Sequence, residues 1–363
     1  MNYKETLFFV GKCLTISHEE QNREIVEHEI KSGNVDWDSV VKLSTEHYVF
    51  PALYCNLKRA NLLSYLPEEL VNYMKHMTDL NRERNLQIID QAKEINELLL
   101  ANSITPVFLK GTGNLLEGLY DDIAERMVGD IDFIIKKSAA LKTLKVLSEN
   151  QYTHQTKPSN HIGYINHYPR LIKKGHINAI EVHLEMTLER FSSIFNYQTI
   201  KPQLRKIDAF TLLAHDHQIT HTIINKQLND YGYLYQNIAL RNYYDLYLLS
   251  FKGNTLKSIG EFPKIFKQLN SFLALASFIF PNTQSIHFEE NSNVIRYTNL
   301  AFKALDAPKK HKIRNNIIGL CIITNVRIKL LIKALYSKNH LIYVLNKLSD
   351  IKWYQRLLSV DKN

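Results

Sequence analysis

The sequence is poor in cysteine, glycine and proline. Its 363 residues include three cysteines, 12 glycines and nine prolines. Cys13, Cys55 and Cys321 are widely separated and form no CxxC pair, so nothing indicates a disulfide framework or a zinc site, and a reducing compartment fits. The low glycine and proline content excludes collagen-like, linker-like and low-complexity chains.

Long apolar runs are missing from the sequence as well. The most apolar stretches, Phe272–Phe280 and Ile317–Thr324, are much shorter than the ~20 residues that a membrane-spanning helix needs. The N-terminus has only a short apolar run and carries Glu5 early, which argues against a secretory signal. We therefore expect a cytoplasmic protein without a transmembrane segment.

Several common enzyme-site patterns do not occur. The sequence has no GxxxxGKS or GxxxxGKT, no GxGxxG after a predicted strand and no GxSxG. The first absence excludes a P-loop, and the others argue against a Rossmann oxidoreductase and an α/β-hydrolase.

Positive charge is concentrated near the C-terminus. The whole chain has 45 Lys and Arg against 36 Asp and Glu, a net charge of +9. Residues 303–363 hold 13 of these basic side chains and three acidic ones, which leaves 32 basic and 33 acidic residues in the rest. This basic segment would attract nucleic acid or another polyanion, or it is a solvated helix face.

Apolar residues spaced three and four apart predict helices on both sides of a central segment. Before it, helices are expected within Val35–Leu57 and over Pro67–Leu100, with Pro67 at the start. After Lys206 the pattern is helical again. The predicted C-terminal helices are one capped by Asp208 and running through Ile224, then Arg241–Phe251, Ser271–Phe280, Val294–Leu305, Ile313–Tyr336 and His340–Leu358.

The central segment has the pattern of an α+β unit. The predicted strands are Thr105–Leu109, Gly129–Ile135, His161–Lys174 and Ile177–Leu184, the last two joined at the turn Gly175-His176. Between them we expect a turn at Lys110–Gly113, a short helix at Asn114–Tyr120, and a helix Ala139–Glu149 capped by Ser138. The predicted fold class is α+β, with a small mixed β-sheet core at 103–204 between helical regions at 1–102 and 205–363.

Acidic residues recur with strand periodicity in this segment. Because residues two apart on a strand share a face, Asp130 and Asp132 project together, and so do Glu181 and His183. If the two strands are neighbours, three carboxylates converge, and such carboxylates repel one another unless a cation neutralises them. Oxygen-rich clusters suit Mg²⁺, and a glycine-rich turn presents N–H groups to phosphate. Together these features indicate nucleotidyl transfer.

The order of these motifs resembles the polymerase-β-type nucleotidyltransferase superfamily, and within it a branch of largely uncharacterised bacterial proteins. The matching residues are Leu109-Lys110-Gly111, Leu119-Tyr120, Arg126, Asp130-Ile131-Asp132 and Glu181-Val182-His183, with a weaker match through His217, His221, Arg241 and Asp245-Leu246. The resemblance covers roughly residues 100–250.

The resemblance implies a role for each matching residue. Asp130, Asp132 and Glu181 would bind Mg²⁺ or Mn²⁺, with Glu181 also a candidate base for the acceptor hydroxyl. The turn residues Gly111, Thr112 and Gly113 would hold the phosphates of an NTP substrate.

For the remaining polar residues the alternatives stay open. Lys110 and Arg126 would either contact phosphate or have structural roles. His183 would orient the acceptor, bind a metal, or be a packed, hydrogen-bonded side chain. His217 and His221 would share a helix face, where they would contact the nucleotide or the acceptor, bind a metal such as zinc, or have a structural role. Arg241 and Asp245 are predicted to form an i,i+4 ion pair.

The sequence thus predicts a metal-dependent nucleotidyltransferase. It would move an NMP from an NTP to a hydroxyl on a small molecule, a nucleic acid end or a protein, releasing pyrophosphate. The alternatives are a non-catalytic nucleotide- or nucleic-acid-binding module on the same fold, and a protein that docks on a membrane or complex through Ile313–Tyr336.

Overall fold

The computed structural model describes residues 1–155 and 166–348. They divide into two units, residues 1–155 with 166–306, and residues 307–348. The three cysteines are free thiols, two buried and Cys321 exposed.

The N-terminal part of the first unit is helical, as predicted. Its helices are α1 Tyr3–Cys13, α2 Glu20–Lys31, α3 Trp37–Glu46, α4 Phe50–Arg59 and α5 Glu68–Ala101. The long helix α5 begins directly after Pro67, whose fixed φ favours the start of a helix. Ile88, Ala92, Ile95 and Leu99 of α5 are fully buried at spacings of four, three and four, so this helix presents one continuous apolar face to the core.

A mixed sheet forms the centre of this unit and confirms the α+β class. Within the described ranges it has seven strands in the order β3-β4-β5-β2-β1-β7-β6. The strands are β1 Val107–Phe108, β2 Ile131–Ile134, β3 Thr153–His154, β4 Leu171–Ile172, β5 Ile180–His183, β6 Arg205–Ile207 and β7 Phe210–Leu212. The part of the predicted strand His161–Lys174 at 161–165 lies outside the described residues.

Further helices of this unit lie later in the chain than α5. They are α6 Lys110–Leu116, α7 Ala140–Glu149, α8 Tyr197–Ile200, α9 His215–Ile224, α10 Gly232–Tyr235, α11 Leu240–Ser250, α12 Thr255–Gly260, α13 Phe266–Ile279 and α14 Ser292–Asp306. The predicted helices near residues 241–251, 271–280 and 294–305 are confirmed, with boundaries shifted by a few residues.

The prediction of a helix starting at Asp208 was wrong. Residues 205–212 form the hairpin β6–β7, and Asp208 lies in its turn with a left-handed backbone (φ 51°). Strand β7 pairs in parallel with β1, which lies over a hundred residues earlier in the chain. This long-range pairing overrides the local helical pattern of the sequence. The helix then begins at His215.

Two details around the central strands also differ from the prediction. The expected turn Lys110–Gly113 is the first part of α6, because Lys110 adopts a left-handed backbone (φ 52°) that turns the chain straight from β1 into the helix. Ser138 does not cap α7. It lies inside a 3₁₀ turn, Lys137–Ala139, which runs directly into the helix.

The second unit consists, in its described part, of α15 Pro308–Tyr336 and α16 Lys338–Leu348. These helices pack against each other, and Ala334 of α15 and Val344 of α16 are buried. The predicted helix Ile313–Tyr336 is confirmed, and the part of His340–Leu358 beyond 348 lies outside the described residues. Among residues 1–155 and 166–348, helices with the length and apolar content needed to cross a bilayer are absent.

Candidate functional site

Strands β2 and β5 are parallel neighbours, as the convergence of the carboxylates requires. In their register Asp132 lies opposite Glu181, and Ile134 lies opposite His183. The alternate residues Ile131, Phe133, Ile180 and Val182 are buried on the other face of the sheet. The same periodicity that fills the core therefore places the acidic side chains together on one face.

Asp132, Glu181 and His183 form a tight cluster on that face. The Nε2 atom of His183 is 2.7 Å from Oδ1 of Asp132 and 3.7 Å from Oε2 of Glu181. One donor atom from each of the three residues can be chosen so that all lie within 4.8 Å of one another. Two carboxylates and an imidazole at this spacing fit a divalent cation.

Lys110 supplies a positive charge to the cluster. Its Nζ lies 2.7 Å from Oδ1 of Asp132, the same oxygen that His183 approaches. Burial alone would raise the pKa of Asp132, but Lys110 and His183 hold it well below its usual range. Burial lowers the pKa of Lys110, yet the carboxylates of Asp132, Glu181 and Asp130 outweigh that effect and raise it. Both groups are therefore charged.

Asp130 lies just before β2 and is linked to Glu181 through Arg170. The guanidinium of Arg170 donates from Nη2 to Oδ2 of Asp130 at 2.7 Å and from Nε to Oε1 of Glu181 at 2.8 Å. Burial, together with repulsion from Asp132 and Glu181, raises the pKa of Asp130 to about 6. Arg170 thus holds together two like charges that would otherwise separate.

The segment Gly111–Gly113 packs tightly beneath the cluster. A Cβ at Gly113 would lie 2.9 Å from the carbonyl oxygen of Phe108, so only glycine lets α6 approach β1 this closely. The hydroxyl of Thr112 donates to the carbonyl oxygen of Asp130 at 3.1 Å. All three residues are buried, and the hydrogen bond from Thr112 helps to hold the backbone of Asp130 in place.

Arg126 lies in the interior, 6% exposed, and not on an open surface. Its Nε donates to both oxygens of Asp245 at 3.0 Å, and Nη1 donates to the carbonyl oxygen of Met127. Tyr120 donates to the same Asp245 carboxylate at 2.7 Å. The predicted ion pair of Arg241 with Asp245 was therefore wrong, because Asp245 turns to Arg126 and Arg241 stacks on the ring of Tyr48 instead.

Helix α5 fixes the loops that lead into β2 and β5. Asn81 and Asn85 both donate to the carbonyl oxygen of Arg126. Arg84 donates to the carbonyl oxygen of Val128 and to the side chain of Asn178, which comes just before β5. These polar residues satisfy loop carbonyls that burial would otherwise leave without partners, and so they set the position of the site.

A family model for uncharacterised nucleotidyltransferases matches residues 33–279, which is more than half of the chain. The chain belongs to this nucleotidyltransferase family. The match spans the whole sheet and α5, and it includes each acidic residue of the site. Among curated proteins, no match to the chain was found.

Sequence reasoning missed one residue of this candidate site, Arg170. A usable signal was present, since strands paired around the turn Gly175-His176 place Arg170 opposite Glu181. The observed pairing of Leu171 with Ile180 has this register. A basic residue directly across from an acidic one is a favourable cross-strand pair.

His217 and His221 are both buried on α9. Burial, with the nearby charge of Lys110 and then His183, lowers the pKa of His221 to about 3, so its ring is neutral. His221 Nε2 pairs with the amide of Asn225 at 3.0 Å, and its ring stacks on Phe195. His217 packs edge-on against the same Phe195. In this arrangement both rings pack in the interior.

Proposed function

We propose that this member of the family is a metal-dependent nucleotidyltransferase of the polymerase-β type. It would transfer an NMP from an NTP to a hydroxyl group of a small molecule, a nucleic acid end or a protein, with release of pyrophosphate. One observation carries the proposal: Asp132 and Glu181 share a register position on parallel strands, with His183 beside them and their donor atoms within 4.8 Å.

The donor set supports binding of a divalent cation. Asp132, Glu181 and His183 would hold it, and Asp130 would join them once freed from Arg170. When bound, Mg²⁺ or Mn²⁺ would neutralise phosphate oxygens and stabilise the attacking and leaving oxygens of an in-line displacement. The resemblance to the polymerase-β type supports the same assignment for Asp130, Asp132 and Glu181.

The remaining side chains have complementary roles in the proposal. Lys110, 31% exposed at its side chain, would contact the triphosphate. Glu181 would accept the proton of the acceptor hydroxyl. The hydroxyl oxygen would then bond to the α-phosphorus of the NTP while the bond between that phosphorus and the pyrophosphate oxygen breaks. Thr112 and the two glycines would hold the first residues of α6 next to the phosphates, and Arg126 would support them from the interior.

A non-catalytic binding module on the same fold is the second candidate. The observation in its favour is that each acidic residue has a cationic partner within the chain, Lys110 for Asp132 and Arg170 for Asp130 and Glu181. A site neutralised in this way is stable without a metal and could hold a ligand without reacting.

Transfer of label from an NTP distinguishes the two candidates. The protein is incubated with α-labelled NTPs, Mg²⁺ or Mn²⁺ and candidate acceptors, alongside the double variant Asp130→Ala, Asp132→Ala. Asp90→Asn, at a 75% exposed carboxylate on α5, is the control. We expect transfer by the wild type and the control, and a loss of at least ~1000-fold in the double variant. No transfer by the wild type, with equal NTP binding by the double variant, would refute the enzymatic proposal.

A further inference from the structure

Helix α15 carries an apolar stripe along its length. We use "the stripe" for the positions spaced four, three and four residues apart along this helix, which are Ile313, Ile317, Leu320, Thr324, Ile328, Leu331 and Leu335. Six of the seven are large apolar residues, and these six are 51% to 78% exposed. An apolar helix face normally faces a core, so an exposed one indicates a partner.

The stripe is straight. Its spacing repeats after 11 residues, from Ile313 to Thr324 and from Thr324 to Leu335. An 11-residue repeat averages 3.67 residues per turn, close to the 3.6 of a straight α-helix, whereas a heptad repeat winds around the helix. The stripe therefore stays on one side of α15 for about 33 Å and suits a flat surface better than a two-stranded left-handed coiled coil.

Charge around the stripe is of one sign. Residues 307–348 contain nine Lys and Arg and neither Asp nor Glu. The basic residues are Lys309, Lys310, Lys312, Arg314, Arg327, Lys329, Lys333, Lys338 and Lys347. A surface that binds this segment must therefore be anionic as well as apolar.

We propose that α15 docks on an anionic lipid bilayer surface, lying in the plane of the interface with the stripe among the upper acyl chains. Basic residues would then contact lipid phosphates. A second copy of the chain fits less well, because the nine basic residues of one copy would face the nine basic residues of the other and repel them. Nucleic acid would use the charges but leave the aliphatic side chains of the stripe exposed to water.

Binding of the protein to vesicles tests this docking. Vesicles of phosphatidylcholine alone are compared with vesicles in which phosphatidylglycerol replaces part of it, by cosedimentation at low and high salt. We expect binding to the anionic vesicles only, weakened by salt. Replacing Lys309 or Lys310 with Gln should weaken it about fivefold each.

A matched pair of substitutions tests the stripe itself. Ile328→Ser removes a stripe residue that is 51% exposed, and Val326→Ser changes one that is 56% exposed about 160° away around the helix. We expect Ile328→Ser to weaken vesicle binding about tenfold and Val326→Ser to weaken it less than twofold, with unchanged helix content by circular dichroism. Equal effects of the two substitutions would contradict the assignment.

If a second copy of the chain or nucleic acid binds the stripe instead of lipid, the experiments give different results. Sedimentation velocity that shows a dimer of the wild type and a monomer of Ile328→Ser, without lipid, would assign the stripe to self-association and overturn the proposal. Salt-dependent RNA binding without vesicle binding would overturn it as well, as would the absence of binding to either vesicle.

Discussion

Asp132 and Glu181 lie directly opposite each other on neighbouring parallel strands. Like charges at such a position destabilise a sheet. The fold keeps both and surrounds them with Lys110, Arg170 and His183, all within hydrogen-bonding distance of a carboxylate. An arrangement that lowers stability and is compensated by several residues indicates a functional site.

The first prediction concerns Glu181 itself. Glu181→Gln keeps the shape of the side chain but removes the charge that would bind metal and accept a proton. We expect transfer of label to fall by about 10²–10⁴-fold. Glu185→Gln, on the same stretch of chain but paired with Lys137 outside the cluster, should stay within about twofold of the wild type. Similar activity of the two variants would argue against a catalytic role for Glu181.

The second prediction is that Arg170 and a divalent cation substitute for each other. Arg170→Ala leaves Asp130 and Glu181 to repel each other, so without metal the free energy of unfolding should fall by about 0.5–1 kcal/mol, a modest value because the side chain is 53% exposed. Because the freed carboxylates then bind a cation more readily, Mn²⁺ should raise the melting temperature more in this variant than in the wild type.

Thermal unfolding with and without Mn²⁺ measures that difference. Lys137→Ala removes a similarly exposed cation from an acidic partner outside the cluster and serves as the control. If Mn²⁺ raises the melting temperature of Arg170→Ala and of the wild type by the same amount, Arg170 and the cation do not substitute for each other.

The third prediction concerns the buried pair of Arg126 and Asp245. Arg126→Met fills the space but leaves the Asp245 carboxylate buried without its cation, since the two side chains are 7% and 4% exposed. We expect a loss of about 3–5 kcal/mol in the free energy of unfolding, measured by urea denaturation. Lys145→Gln breaks an exposed pair with Glu149 on α7 and should change it by less than about 0.5 kcal/mol. A small effect of Arg126→Met would mean that the pair is not structural.

The fourth prediction is a pH dependence from His221. Burial and the charge of Lys110 lower its pKa to about 3 in the folded chain, against about 6.5 when unfolded. Because the folded chain keeps His221 neutral at a pH where the unfolded chain protonates it, its contribution to the free energy of unfolding is complete above pH 6.5 and is lost as the pH falls toward 3. Between pH 7 and 5 the wild type should therefore lose about 2 kcal/mol more stability than His221→Gln.

Urea denaturation of both proteins at several pH values checks this, because charges shared by the two, including Asp132 and His183 near the ring, cancel in the comparison. Parallel stability curves for the two proteins would show that His221 titrates normally.

Local sequence pattern predicted much of the fold correctly where local interactions decide it. Pro67 and the apolar spacing of α5 predicted that helix to within a residue or two, and strand parity predicted which side of β2 and β5 carries the acidic groups. Both signals depend on neighbours within a few residues along the chain. The predicted division at residues 102 and 204 stays a prediction.

Two of the failures share one physical cause. The helix predicted from Asp208 and the Arg241–Asp245 pair both depend on contacts with residues far away in sequence. Arg170 is different, because its contact with Glu181 lies within a hairpin whose register the sequence indicates. Residues 205–212 form a hairpin because β7 pairs with the distant strand β1. Asp245 binds Arg126, which lies 119 positions earlier in the chain.

The sequence by itself determined which residues can do chemistry and which face of each strand they occupy, because side-chain alternation is a property of the backbone. Only the tertiary structure decided that β2 and β5 are adjacent and parallel, that Asp132 therefore meets Glu181, and that Arg170 bridges to Asp130. Strand pairing joins segments that are distant in the chain, and it is selected by the packing of α5 and the core around them, which no local pattern specifies.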